Sequence, residues 1–429
     1  MNNQLKAKDG DDVLIGGLGN DTLYGSYGSD TYLFSRGHGH DVIEEYDDST
    51  PTKHDRIVFS DVAYSEVKFR REGDDLLLFG YSETDSLRLK DFYYSARYEV
   101  EEFVFTDRSL SLATMREEGI HFVGTSGDDV MTDWKDAEAK SIFEGGLGND
   151  TLKGSYGDDT YLFSRGHGHD VIEEYDDSTP TKHDRIVFSD VAYSEVKFRR
   201  EGDDLLLFGY SETDSLRLKD FYYSARYEVE EFVFTDRSLS LATMREEGIR
   251  LFGAEGNDTI KDWSGNARID GGLGDDIIFA NAGDDVLIGG LGNDTLKGSY
   301  GSDTYLFSRG HGQDILEEYS SNNSDIDVIR FLDINNPEKL WFSRKDNHLL
   351  ITNLDTSDTV TVNYWYSSQK YQVERIELGD GRSLDPSQVD KLVSAMAAFE
   401  ALSSSDTLSV QQDEMKRYMS TLAVTSHYS

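Results

Sequence analysis

Residues 253–306 read GAEGNDTIK, DWSGNARID, GGLGDDIIF, ANAGDDVLI, GGLGNDTLK and GSYGSDTYL when the chain is cut every nine residues. All six units carry glycine at the fourth place and a large apolar or aromatic residue at the eighth, and five carry aspartate at the sixth, Ala267 being the exception. A period of nine with one inward side chain is neither the 3.6 of a helix nor the simple alternation of a sheet strand. It is the period of a short strand followed by a tight turn, repeated as a solenoid.

Two units complete a coil of eighteen residues, so each unit stacks on the next but one at strand spacing, about 4.8 Å. Glycines at the first, second and fourth places are expected to free the turn for positive φ and for close approach of carbonyls to an ion. Stacking sets a turn carboxylate of one coil over the turn carbonyls of its neighbour. A flexible shell of six to eight oxygens suits calcium better than magnesium, which needs a tighter octahedron and keeps its waters. Buried apolar area is small, and stacked carboxylates repel without a cation.

The same units occur twice more. The first block begins with AKDGDDVLI from Ala7, GGLGNDTLY from Gly16 and GSYGSDTYL from Gly25, and closes with RGHGHDVIE from Arg36. Its candidate calcium ligands are Asp12, Asp21, Asp30 and Asp41, with turn glycines Gly17, Gly19, Gly37 and Gly39; Asp12 is expected over Asp30 and Asp21 over Asp41. Block two offers Asp129, Asp150, Asp159 and Asp170 with Gly146, Gly148, Gly166 and Gly168. Block three, the longest, offers Asp258, Asp276, Asp285, Asp294, Asp303 and Asp314 with Gly256, Gly272, Gly274, Gly283, Gly290, Gly292, Gly301, Gly310 and Gly312. Ala267 removes one carboxylate and is expected to leave the outer site on its edge weak.

Between blocks the period falls to two. Runs such as RIVF, VKFRRE, DLLLFGY and EEFVFTD read as a small antiparallel β-meander that covers the last coil. SLATMREEG then reads as a short helix stopped at Gly119. The expected organisation is roll 1–54, meander 55–120, roll 121–183, meander 184–249, roll 250–319, meander 320–384 and a helical tail 385–429, an all-β fold of parallel rolls. Gly16–Ile120 repeats as Gly145–Ile249 with two differences, Tyr24 against Lys153 and Ser29 against Asp158. The third copy has drifted after Tyr319 and is therefore the informative one. In the tail, Asp385 reads as an N-cap with Pro386 at the first helical position, and a second helix is expected near 411–419.

The phased Gly/Asp units resemble the RTX (repeats-in-toxin) exoproteins, above all the large iron-regulated RTX proteins of Gram-negative pathogens. The resemblance implies several bound calcium ions, a secreted, extracellular protein, and an uncleaved C-terminal signal read by type I secretion machinery. It further implies a chain unfolded in calcium-poor cytosol that folds outside the cell. An interaction module gripping a host glycan or receptor is the other class of function that fits; Tyr93, Tyr94 and Tyr98, with Tyr222, Tyr223 and Tyr227, are its candidate sugar-binding face.

Composition narrows the field. With 83 acidic and 42 basic residues among 429, the formal net charge is −41, which argues against nucleic acid and anionic membranes as partners. There is no cysteine, hence no disulfide or thiolate metal site. No apolar run is long enough to span a bilayer as a helix, and MNNQLKAKDGDD has no leader-like apolar core. The pairs His38 with His40 and His167 with His169 suggest zinc or copper, but the third copy has His311 with Gln313, which favours ordinary turn residues. No G-x-S-x-G, H-E-x-x-H or Walker loop is present, so catalysis has no candidate centre and the chain is not expected to be an enzyme.

Overall fold

The computed structural model describes residues 1–46, 53–134, 139–176, 183–263, 265–319 and 324–402. The chain forms two compact units, Met1–Val196 with Asp203–Ser240, and Lys197–Gly202 with the chain from Leu241 onward.

In the first unit, strands Gln4–Lys6, Thr22–Tyr24 and His40–Glu44 stack in parallel on one face of the first roll, and Val13–Leu14 and Thr31–Phe34 on the other. Leu5 pairs with Leu23 and Leu23 with Ile43; Leu14 pairs with Tyr32. The eighth-position side chains therefore form a column down each inner face, and each fully buried one contributes about 2 kcal/mol. The second roll repeats the plan, with Phe122, Phe143 and Tyr161 in successive register and their rings 5.9 and 5.3 Å apart.

The second unit holds the third roll. Arg250–Phe252, Arg268–Leu273, Val286–Leu291 and Thr304–Phe307 stack on one face, and Thr259–Lys261, Ile277–Phe279, Thr295–Lys297 and Gln313–Leu316 on the other. Pairing falls eighteen residues apart where the repeat is regular, as in Leu251 with Ile269 and Ile269 with Leu287.

The segments after each roll, expected as antiparallel meanders covering the last coil, contain such pairs and also carry the parallel stacking onward. Arg56–Phe59 and Glu102–Val104 run parallel to Thr31–Phe34 and extend its face by two rungs, while Ser86–Leu89 runs parallel to His40–Glu44. Among the described residues after the first roll, antiparallel pairing is confined to Lys68–Glu72 with Asp75–Phe79, Asp75–Phe79 with Ser86–Leu89, and Glu102–Val104 with Ser109–Ser111. Lys68–Glu72 then meets Ile120–Val123, the first strand of the second roll, through Phe69 opposite Phe122. Alternation has period two in both strand directions, so it carries no information on direction. Direction follows the connection: a long crossover round the roll returns the chain parallel, whereas the tight turn at Gly73 reverses it.

The two helical expectations hold. Leu112–Glu118 starts at Ser111, whose Oγ accepts from Thr114 N at 3.1 Å, and ends at Gly119 with φ 91°. Pro386–Leu402 is capped by Asp385, whose Oδ1 accepts from Gln388 N at 2.9 Å, and it buries Val389, Leu392 and Met396. The second tail helix and the proposed secretion signal fall outside the described residues.

Candidate metal centres

Beyond Asp12, Asp129 and Asp258, which open their edges and accept from an N–H of their own turn, each sixth-position aspartate is buried in the roll and one oxygen accepts from the backbone of the coil before. On one edge of the third roll, Asp258 N donates to Asp276 Oδ1, Asp276 N to Asp294 Oδ1 and Asp294 N to Asp314 Oδ1, all at 2.8 Å. On the other edge Ala267 N donates to Asp285 Oδ1 at 2.7 Å, and Asp285 N to Asp303 Oδ1 at 2.9 Å. Asp12 lies under Asp30, eighteen residues on, at 2.9 Å, and Asp21 under Asp41 at 2.7 Å, twenty residues on because two residues are inserted before Arg36. In the second roll Asp129 joins Asp150, Asp150 joins Asp170, and Ser141 joins Asp159, each at 2.8 Å.

The second oxygen is the telling one. Oδ2 of Asp21, Asp150, Asp276, Asp285, Asp294 and Asp303 is buried without a hydrogen-bond partner. A buried carboxylate oxygen left in this state costs several kcal/mol; both edges of the third roll present two such bare oxygens in a row, and the first and second rolls one each among these turns, of the kind a hard cation takes. Burial pushes the carboxyls up, Asp276 and Asp150 to about 6, Asp294 and Asp303 to about 7 and Asp285 to about 8. Beside Asp303 at Asp285 and Asp314 at Asp294, a neighbouring carboxylate adds to the effect.

The turn glycines divide by role. Those at the second place, such as Gly290 with φ 106°, have left-handed backbone, and a Cβ there would lie 2.0 Å from the carbonyl oxygen of Gly272. First-place glycines do not have positive φ. At Gly289 a Cβ would instead lie 2.2 Å from Oδ2 of Asp294 in its own turn, so glycine is required there to admit the carboxylate.

Sequence reading missed six aspartates. Asp55, Asp184 and Asp327 extend one edge beyond the glycine-bearing units, accepting from Asp30, Asp159 and Asp303 N at 2.6, 2.7 and 2.9 Å. Asp85, Asp214 and Asp358 close the Gly-His-Gly turns, Gly37, Gly166 and Gly310 N donating to them at 2.7, 2.8 and 2.7 Å. Burial would raise these last three, but the donated hydroxyl and N–H groups, the Thr356 hydroxyl foremost at Asp358, outweigh it and hold their carboxyls below the ordinary range. The signal was present as a bare Asp-x-apolar triplet, the last half of a unit, at Asp55-Arg56-Ile57, Asp85-Ser86-Leu87 and their copies.

The histidine pairs are split. His38 is buried, with Nδ1 2.8 Å from Asp41 Oδ2 and Nε2 3.0 Å from the Tyr81 hydroxyl, whereas His40 is exposed and faces Ser86 Oγ at 2.9 Å. The tyrosines are split too. Tyr93 is 7% exposed beneath Arg71, while Tyr94 is 67% exposed and meets Tyr98 edge to face at 5.8 Å. The three do not form one flat sugar-stacking face; in the second copy Tyr222 is half-buried and Tyr223 exposed beside Tyr227. No helix among the described residues is long and apolar enough to cross a membrane.

Comparison with known proteins places these turns in context. The RTX calcium-binding nonapeptide repeat (4 copies) matches residues 2–41, 142–170, 250–278, 264–296 and 279–313, and the haemolysin-type calcium binding protein related domain matches 348–388. Iron-regulated protein FrpA of Neisseria meningitidis serogroup C is 37% identical over 92 residues, 21% of this chain and 8% of that protein. The plasmid hemolysin of Escherichia coli is 39% identical over 57 residues, 13% of this chain and 5% of the relative. This chain thus spans less than a tenth of either relative. Among solved structures, extracellular lipase LipA from Serratia marcescens aligns over 57% of this chain and 37% of its own with 18% identity and a TM-score of 0.21. The stacked turns are RTX calcium-binding nonapeptide repeats of the haemolysin type, and the ion they hold is calcium.

Proposed function

We propose that this chain is the calcium-triggered folding module of a secreted RTX exoprotein, unfolded in calcium-poor cytosol and folded once outside. One observation carries the reading: rows of buried aspartate oxygens without partners, which make the ion-free roll self-repelling. Each roll and the strands that continue it fold as one cooperative body, because every coil supplies the edge on which the next one forms. Extracellular modules bind calcium at about 10⁻⁴ to 10⁻³ M. At tenfold excess over its dissociation constant each ion adds about 1.4 kcal/mol, so a handful match the stability of a typical domain. The tail 385–429 carries the type I export signal, as the resemblance to the iron-regulated protein and the hemolysin suggests.

Far-UV circular dichroism during a calcium titration tests the folding step, with magnesium as control. A cooperative gain of β signal near millimolar calcium and none with magnesium is the expected result. A chain already fully folded in chelator overturns it. Loss of export on deleting residues 403–429, with calcium folding intact, tests the secretion step separately.

A further inference from the structure

Each roll ends in a cluster that the nonapeptide pattern does not supply. In the first, the carboxylates of Asp30, Glu45 and Asp55 each place an oxygen within 4.8 Å of the others, and all three residues are buried, at 0, 2 and 0% exposure. The same holds for Asp159, Glu174 and Asp184, and for Asp303, Glu318 and Asp327. Only the first aspartate of each trio belongs to a glycine-bearing turn. The glutamate enters from the end of the opposite inner strand, just past His40–Glu44 and its counterparts, and the second aspartate comes from a rung without turn glycines.

Three features show that the interior is built around this cluster. Tyr32, Tyr161 and Tyr305 lie in the apolar columns, yet their hydroxyls donate to Glu45, Glu174 and Glu318. Gly25, Gly154 and Gly298 wall the space: a Cβ on Gly25 would lie 2.1 Å from Glu45 Oε2, and one on Gly298 2.2 Å from Asp303 Oδ2. Most direct is Oδ2 of Asp55, Asp184 and Asp327, which has no hydrogen-bond partner although each residue is wholly buried. Their Oδ1 atoms are engaged by the coil before, so Oδ2 is the atom left for the cluster. The third copy strengthens the case, because its sequence has drifted after Tyr319 and Asp327, which lies in the drifted part, still meets Asp303 and Glu318.

The geometry points to a second class of cation site, one per roll, in which three buried carboxylates clasp a hard divalent ion, calcium, inside the end of the roll. Three carboxylates on one ion exceed what stacked turns offer, with one carboxylate per coil. These sites therefore fill at lower calcium than the turn sites. The ion then ties the last repeat to the strand that continues it, across a connection of different length in the third copy: 24 residues from Asp303 to Asp327 against 25 from Asp30 to Asp55. The inference is independent of the secretion route.

The test is calcium stoichiometry of the full chain by equilibrium dialysis, comparing it with a variant carrying Glu45→Gln, Glu174→Gln and Glu318→Gln. The glutamine preserves shape and an acceptor for the tyrosine hydroxyl. The variant is expected to bind three fewer ions, all from the tightest class, while still gaining β signal at saturating calcium. An unchanged count and unchanged affinity of the first ions overturns the proposal. Should the triple variant not fold at saturating calcium, Glu318→Gln alone is measured: loss of one tight ion supports the site and an unaltered isotherm refutes it. Failure of the chain to unfold in chelator refutes the export reading without touching this result.

Discussion

Replacing Asp294 by asparagine should have opposite effects with and without calcium. The amide keeps an oxygen for Asp276 N, which now donates to Asp294 Oδ1 at 2.8 Å, but it removes one charge from the middle of the edge Asp258, Asp276, Asp294, Asp314. Burial and the facing carboxylates of Asp314 and Asp276 lift the Asp294 carboxyl from 3.8 to about 7. Keeping it ionised at pH 8 therefore costs about 4 kcal/mol at 1.36 kcal/mol for each pH unit. Water and side-chain relaxation at the edge reduce this to about 2–3 kcal/mol. In chelator the variant is thus expected to be the more folded protein. In calcium the order reverses, because Asp294 borders two inter-coil gaps. Two weakened ions, each contributing about 1.4 kcal/mol at tenfold excess, cost about 3 kcal/mol. The folded fraction by circular dichroism at pH 8 in EDTA with a stabilising osmolyte added, and the urea midpoint in about 10 mM calcium, read the two signs. A variant less stable in both conditions would refute the reasoning, since it would make Asp294 a simple hydrogen-bond acceptor.

Acidification should stabilise the ion-free fold. Asp285, Asp294, Asp303 and Asp327 are raised from 3.8 to between about 7 and about 8, so the folded state holds protons the unfolded chain has released; this stabilisation is complete below about pH 4 and lost as pH climbs through 7 to 8. The folded fraction in chelator should rise between pH 8 and pH 5, and calcium affinity should fall. Gly290→Ala, with φ 106° and a carbonyl 2.0 Å from the new Cβ, should cost at least about 2 kcal/mol and move the calcium midpoint of folding upward; an unmoved midpoint would show that the turn can yield. Ala267→Asp restores the missing carboxylate where Ala267 N already donates to Asp285 Oδ1 at 2.7 Å; dialysis should count one additional ion, and no gain would mean that the outer gap cannot close round a cation.

The roll was legible in the sequence because its physics is local. A nine-residue turn and strand needs glycine where φ is positive and an apolar residue where the chain faces inward, so Gly290, Asp294 and Leu296 announce their positions by spacing alone. The strands after each roll were legible as strands, and not as continuations of it. Arg56–Phe59 and Lys68–Glu72 have the same alternation, yet the first runs parallel to Thr31–Phe34 and the second antiparallel to Asp75–Phe79. Nothing within either segment encodes that choice; it is made by the connection, a long crossover before Arg56–Phe59 and a tight turn after Lys68–Glu72.

The sites follow the same division. Period and composition determined that aspartates such as Asp276 and Asp294 stack into an edge, and that a hard cation resolves their repulsion. In the sequence Glu44 and Glu45 read either as completing an end site or as solvated charges in a chain of formal net charge −41, and nothing in the spacing separates the two. The burial of Glu45 beside Asp30 and Asp55, fifteen residues before it and ten after, arises only when the two inner faces of the roll close on each other. Repeat spacing acts along the chain and is written in the sequence; contact across the roll's interior acts between strands, and only the tertiary structure decides it.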